Sequence, residues 1–410
     1  MRIAMISEHA SPLSALGGVD AGGQNAHVAE LAAALAAQGH EVRVYTRRDD
    51  AALPDTVTVN GFEVVHVPAG PPVALPKDDL LPFMGAFAEW LAAEWRAGWL
   101  PDVAHAHFWM SGLAAVTAAR RCDVPVLQTF HALGTVKRRH QGPADTSPQH
   151  RIAYERQLGR VVDRIVVQCQ DEVRELLRMG LSRSNMVLVP SGVNTGVFSP
   201  EGPAEPRRPG FSRILTVGRL VERKGYEDVI RALPAIPGAE LVVAGGPPDG
   251  DVTDHPYARK LRALARKCGV GDRVVLAGAV AAARMPHWYR SADVLAAAPW
   301  YEPFGLTPLE AMACGVPVVG TAVGGLTDTV VDGITGDLVP ARDPGALGTA
   351  LRRLLHDDIR RVSYAAAASD RATHSYAWPR IAARLAAVYA DVAGLTVTPT
   401  LTTESREAVV

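Results

Sequence analysis

The chain has 410 residues, 48% of them hydrophobic and 21% charged, with a formal net charge of −1 at pH 7. That length is too great for one ordinary core and suits two α/β units of roughly 200 residues each. The near-zero charge argues against nucleic acid as the main partner, and no run approaches the roughly 18 uncharged apolar residues of a membrane-crossing helix.

The opening MRIAMIS carries one basic residue and a short apolar run, which reads as a buried strand rather than a leader peptide. A cytoplasmic protein without integral membrane contact is therefore expected, and a homodimer is left open. Apolar runs at Ile3–Ile6, Val42–Tyr45, Val64–Val67, Val103–Ala106, Val124–Leu127, Ile165–Val167 and Val187–Val189 predict strands. Helical patterns fall between them, such as Asn25–Gln38, closed by Gly39 as a C-terminal glycine. The Pro- and Gly-rich stretch 199–212 breaks the alternation and predicts a linker.

A second series follows at Ile214–Val217, Leu241–Ala244, Val274–Leu276, Val294–Ala297, Val316–Val319 and Asp337–Val339, with helices such as Tyr257–Lys267 and Pro344–His356 between. Asp358–Arg371 and Pro379–Ala393 read as further helices, and 394–410 as a mobile tail. Near-continuous apolar strands alternating with helices predict parallel sheets covered on both faces. The expected fold class is α/β: two Rossmann-like, doubly wound domains, 1–200 and 201–375, with a ligand cleft at the carboxyl ends of their strands. The cysteines, Cys122, Cys169, Cys268 and Cys314, lack metal or CxxC spacing and are expected as buried thiols.

Four motifs carry chemistry. Gly17-Gly18-Val19-Asp20-Ala21-Gly22-Gly23-Gln24-Asn25 opens the first helix, where glycines and free N–H groups can meet an anion. It lacks the GxGxxG spacing of a dinucleotide site, which counts against a dehydrogenase. Arg219 and Lys224 stand five residues apart on the loop after the first strand of the second domain, where a planar fork and a point charge can clamp a diphosphate; a solvated charged loop is the plain alternative. Glu302 and Glu310 bracket Phe304-Gly305-Leu306-Thr307 at a helix N-terminus. Carboxylates there can accept from ribose and sugar hydroxyls while main-chain amides hold phosphate. His131, in Phe130-His131-Ala132-Leu133-Gly134, sits at a strand's carboxyl end, with His105 and His107 read as supporting residues.

Together these residues resemble the family-4 glycosyltransferases, from Arg2 to about Val392. Glu302 and Glu310 match the paired-glutamate motif of that family, and Arg219 and Lys224 its phosphate-binding pair. Pro190-Ser191-Gly192-Val193-Asn194, with Phe198 and Pro200, resembles the interdomain segment, and Tyr376-Ala377-Trp378 the start of the terminal helix. Within the family the chain is similar to the sucrose-phosphate synthases and to the inositol-phosphate N-acetylglucosaminyltransferases of mycothiol biosynthesis. Relative to the latter, Lys77 and Arg151 keep acceptor-phosphate positions, while Phe108 and Ala132 stand in place of a tyrosine and a threonine. Both changes remove hydroxyls expected to bind an acceptor phosphate.

The resemblance implies a GT-B fold whose last helix, 376–393, crosses back to the first domain. It implies retaining transfer of a hexosyl or N-acetylhexosaminyl group from a nucleotide-sugar, a UDP-sugar by analogy with most relatives, to a small hydroxylated acceptor such as a cyclitol, sugar or sugar phosphate. No metal and no cofactor beyond the co-substrate are implied. Gly22, Gly23, Arg219, Lys224, Glu302, Phe304, Gly305, Leu306, Thr307 and Glu310 would bind the donor, and His131 would touch its sugar. Asn25, Lys77, Phe108, Ala132, Lys137 and Arg151 would face the acceptor. The basic set Lys77, Lys137, Arg138, Arg139 and Arg151 reads either as a site for an anionic acceptor or as a solvated loop. The rival readings are a sugar-nucleotide epimerase, which needs no acceptor, and a sucrose-phosphate-synthase-like enzyme. A pyridoxal-phosphate phosphorylase is disfavoured, since none of the five lysines has a Schiff-base setting.

Overall fold

The computed structural model describes residues 1–14, 22–247 and 251–395. The glycine motif from Gly17 to Ala21 and the expected tail beyond Leu395 lie outside these residues. The first sheet contains β1 (Arg2–Ile6), β2 (Glu41–Arg47), β3 (Thr56–Val59), β4 (Phe62–Val67), β5 (Val103–His107), β6 (Val126–Thr129), β7 (Arg164–Val167) and β8 (Met186–Leu188). They lie in the order β3-β4-β2-β1-β5-β6-β7-β8. The second holds β9 (Ser212–Val217), β10 (Ala239–Ala244), β11 (Val274–Gly278), β12 (Val294–Ala297), β13 (Val318–Thr321) and β14 (Gly336–Val339). Their order is β11-β10-β9-β12-β13-β14, and each ladder is parallel.

The strand order reverses at β1 in one sheet and at β9 in the other, and such switch points open a crevice at the strands' carboxyl ends. Apolar periodicity picks out β4 but misses its antiparallel partner β3. The signal was the turn between them. Asn60 and Gly61 have φ of 47° and 83°, the positive pair that a two-residue hairpin turn of this hand requires.

Each face of the first sheet is covered by its own core. One gathers Phe87, Trp95 and Trp109; the other joins Val28, Leu31 and Leu35 to Ile381, Leu385 and Tyr389. The last three lie on the terminal helix Trp378–Val392, which therefore packs on the helix Gly23–Ala37 of the first sheet. The preceding helix, Asp358–Tyr376, packs Ala368, Ala372 and Tyr376 with Leu309 and Met312 beneath the second sheet. The chain thus changes units at Ala377, which bridges to Val193. A Cβ on neighbouring Gly192 would come within 2.5 Å of the Trp378 ring, so only glycine admits this crossing.

The stretch 199–212 is less free than a linker reading suggests. The Glu205 amide donates to His287 O (3.0 Å), its carboxylate pairs with Arg284, and Arg290 Nε donates to Ser199 O (2.8 Å). The segment is fastened to the second unit, and Ser212 already begins β9.

Leu385 is 2% exposed between the terminal helix and the first sheet. Leu385→Ala should lower the unfolding free energy by about 3 kcal/mol through lost burial and a residual cavity, as read by urea denaturation. A loss below about 1 kcal/mol would mean that this helix is not a structural part of the first unit.

Candidate active site

A cavity of about 440 Å³ lies between the two sheets. One wall comes from residues beyond β1, β5, β6 and β7 and from the N-terminus of the helix Gly23–Ala37. The other comes from the loops after β9, β10 and β11 and from the segment 302–310. Both walls are therefore carboxyl ends of parallel strands.

The second-sheet wall concentrates positive charge. The loop after β9 runs through Gly218 (φ 144°) to Gly225 (φ 71°), whose added Cβ would lie 1.9 Å from Ala298 O. Glycine thus lets the loop settle on the end of β12 and brings Arg219, Arg223 and Lys224 into the cavity. Lys224 Nζ lies 2.6 Å from Glu302 Oε2. Burial pushes the Glu302 carboxyl up, but Lys224, Arg223 and Arg219 outweigh it and hold the group below its ordinary value. Glu302 O accepts from the Gly325 amide (3.0 Å), and a Cβ on Gly324 would come within 2.0 Å of the same oxygen. Gly305, with φ 95°, then turns the chain into the helix Leu306–Ala313, whose first amides open towards the cavity. Glu310, one turn further on, accepts from the Tyr289 hydroxyl (2.6 Å).

The first-sheet wall is built of neutral rings. His131 and Phe108 sit just beyond β6 and β5 with φ of 58° and 83°, a backbone region that bulky residues seldom adopt. His131 Nε2 lies 2.9 Å from His107 Nδ1. His105 bonds Tyr389 (2.6 Å) and Thr129 (2.9 Å), and His27 Nδ1 bonds Ser191 Oγ (2.7 Å). Burial pushes His27 and His105 down to about 3, and His107 and His131 well below the usual histidine value. All four are uncharged at neutral pH. His27, His107 and His131 place one nitrogen each within 4.8 Å of one another, a spacing that could hold a metal ion. The bonds from His107 to His131 and from His27 to Ser191 already engage a nitrogen of each ring.

Gly22, Gly23, Asn25, Lys77, Phe108, His131 and Ala132 line the cavity from one side. Arg219, Lys224, Glu302, Phe304, Gly305, Leu306, Thr307 and Glu310 line it from the other. Asn25 is largely structural, since its Oδ1 accepts from Gly22 N (3.0 Å) and its Nδ2 donates to Ser11 O (2.9 Å). Lys137 and Arg151 are not in the lining. Lys137 pairs with Asp145 (3.1 Å), and the buried Arg151 pairs with Glu155 (2.7 Å). Sequence reasoning missed Arg223, His27, His9 and Gln168, all in the lining. Arg223 stands inside the Arg219–Lys224 motif, and its signal was charge alone. His27 follows the glycine motif by one helical turn. The thiols are mixed: Cys169 and Cys314 are buried, while Cys122 and Cys268 are partly exposed.

Paired Rossmann-like sheets, a cleft between their carboxyl ends, a cationic wall with two carboxylates and a terminal helix crossing back define a GT-B glycosyltransferase. Residues 21–197 match the model described as Glycosyltransferase Family 4, and residues 202–371 that of Glycosyl transferases group 1. The chain is 41% identical to a D-inositol 3-phosphate glycosyltransferase of Xylanimonas cellulosilytica, over 95% of this chain and 96% of that protein. It is 38% identical to a protein of the same name in Kineococcus radiotolerans, covering 95% and 94%. Among solved structures, a sucrose-phosphate synthase from Thermosynechococcus elongatus superposes with a TM-score of 0.86 at 31% identity, covering 95% of this chain and 98% of that one. The chain belongs to this family of nucleotide-sugar glycosyltransferases. Among the described residues no helix is long and apolar enough to cross a membrane.

Burial pushes the Glu310 carboxyl up to about 7 from 4.5, against the hydrogen bond from Tyr289. A carboxyl whose folded pKa is raised favours folding while protonated and penalises it once ionised. Its ionisation should therefore cost the wild type stability as pH rises from 4.5 through about 7. Relative to Glu310→Gln, the loss should reach at most about 3 kcal/mol in ligand-free protein. Parallel stability curves for the two proteins across that window would show that Glu310 is ionised throughout.

Proposed function

We propose that the protein is a retaining, metal-independent hexosyl- or N-acetylhexosaminyltransferase that draws on a nucleoside-diphosphate sugar, with a UDP-sugar as the leading donor. The acceptor is a small hydroxylated molecule, a cyclitol, sugar or sugar phosphate, in keeping with the names of the relatives above. The observation that carries this reading is the convergence of Arg219, Arg223 and Lys224 with the amides of a helix N-terminus on one wall of the cavity.

In this reading Arg219 and Lys224 neutralise the leaving diphosphate as its charge develops, with the amides of Gly23 and of Phe304 to Thr307. These cations supply the electrostatic stabilisation that a divalent ion gives elsewhere. Glu310 accepts from the ribose hydroxyls. Glu302, held as a carboxylate beside Lys224, accepts from hydroxyls of the transferred sugar. His131, uncharged in its buried setting, contacts the donor sugar through its ring or main chain. Glu302 is neutralised by Lys224, which makes it a weak nucleophile and favours front-face attack with the departing phosphate taking the acceptor's proton. Isolation of a glycosyl–Glu302 adduct would overturn that step.

The first test is thermal stabilisation by UDP, GDP, ADP and dTDP. A nucleotide present at ~100 times its dissociation constant should add about 2.7 kcal/mol of stability. One of them should stabilise the wild type and fail to stabilise an Arg219→Ala, Lys224→Ala double variant. Stabilisation of both proteins alike would move the donor site elsewhere.

A further inference from the structure

Resting on the donor assignment just proposed, the acceptor enters against the first-sheet wall, and the charge of that wall limits what it can be. A phosphomonoester carries about −1.5 to −2 at neutral pH. Taken into a cavity, such a group needs cations or a guanidinium fork to offset lost hydration.

Three basic residues of this region, Arg151, Lys137 and Arg139, are turned to other uses, and the exposed Arg138 is outside the cavity lining. Arg151 is 1% exposed, and its three arms go to Glu155 Oε1 (2.7 Å), Ser147 Oγ (3.1 Å) and Ala132 O. The Glu155 carboxylate, which also accepts from the Gly134 amide, neutralises that charge in place. The Arg151 guanidinium lies 5.0 Å from the centroid of the Phe108 ring, and Phe108 lines the cavity where Arg151 does not. Lys137 is held by Asp145 (3.1 Å) and Asp78 (3.8 Å), and Arg139 by both oxygens of Glu175 (2.9 and 2.8 Å).

Among the described residues, Lys77 is the one Lys or Arg lining this wall, and residues 15–21 contain neither type. Beside Lys77 this wall presents the phenyl ring of Phe108, the methyl group of Ala132 and the uncharged imidazole of His131, with His9 against Phe108 and bonded to Glu8 (2.8 Å). The strained φ of 83° at Phe108 fixes that aromatic group at the mouth of β5, where a polyol ring can lie against it. The other cations in the lining, Arg219, Arg223 and Lys224, are on the opposite wall and are assigned to the donor, so Lys77 alone would have to offset a phosphate here.

We propose that the acceptor is an unphosphorylated cyclitol or sugar, and that this enzyme discriminates against the phosphorylated form of the same compound. The acceptor class therefore differs from the one in the names of its relatives.

The test compares matched pairs on the full chain, using the nucleotide-sugar that the thermal screen selects: myo-inositol with its 3-phosphate, and glucose with glucose 6-phosphate. Where a pair is turned over, kcat/KM for the unphosphorylated member should exceed that of its partner by at least about tenfold. The reverse order overturns the proposal. Where neither member is turned over, each is added to protein already saturated with the nucleoside diphosphate, alongside inorganic phosphate. Stabilisation by a phosphorylated compound or by phosphate overturns the proposal, and its absence upholds it. Failure of the donor assignment would show separately, as no nucleotide effect before any acceptor is present.

Discussion

The contact between Lys224 and Glu302, 2.6 Å long and flanked by Arg219 and Arg223, links the two loops that form the second-sheet wall. A carboxylate taken into a cavity is costly unless a cation meets it, and a lone ammonium there is costly too. The pair can exist only because both loops approach backbone closely. Gly225 sits against Ala298 O, and Gly324 and Gly325 sit against Glu302 O and Phe304. A side chain at any of these positions would push the charges apart and leave each of them unpaired. The glycines, the ion pair and the helix N-terminus that begins at Leu306 are thus one construction, and the surplus positive charge it leaves is what an anionic donor would meet.

The facing wall solves a different problem. Four imidazoles are packed within one region, and charged neighbours would repel, so burial and mutual proximity keep them neutral. Their partners are drawn from distant parts of the chain. Tyr389 of the terminal helix bonds His105, and Trp378 at the start of that helix lies edge-on to His27, 5.3 Å between ring centroids. The crossing helix therefore supports the site as well as the core of the first unit. Its removal would loosen His27 and His105 together, although neither contacts it through sequence proximity.

Both domains, the change of unit near Tyr376 and the second-sheet wall were legible because each rests on a local signal. Buried parallel strands are short apolar runs, and the second-sheet wall is a compact arrangement of glycines, cations and carboxylates. Strand β3 was missed because Thr-Val-Thr-Val is half exposed and polar by turns, and only the Asn60-Gly61 turn betrayed it. The first-sheet wall was less legible for a stronger reason. Lys137, Arg139 and Arg151 look alike in sequence, and whether a cation faces a ligand depends on partners such as Asp145, Glu175 and Glu155, which only the fold brings to it. The stretch 199–212 misled in the same way: proline and glycine suggested freedom, while Glu205, Arg284 and Arg290 fasten it.

That fastening changes where motion can occur. Among the described residues, separate polar and ring contacts join the units across the cleft. Gln141 Nε2 donates to the Tyr301 hydroxyl (2.6 Å), His140 stacks on the same ring, Cys169 Sγ donates to Pro303 O (3.2 Å) and the Gln170 amide donates to Asp328 (2.6 Å). Net contributions of such bonds are about 1 kcal/mol each, far below the cost of exposing either core. Three of these four contacts land on residues 301–303, beside Glu302. Opening would therefore release the first unit from the loop around Glu302 while leaving that loop anchored to its own sheet by Gly325 and Lys224. With 199–212 tied to the second unit, the chain passes between the units at Val193 and Ala377, which bridge side by side. Any closure of the cleft would have to turn about this paired crossing, and two passages bonded side by side would resist twisting more than a single one.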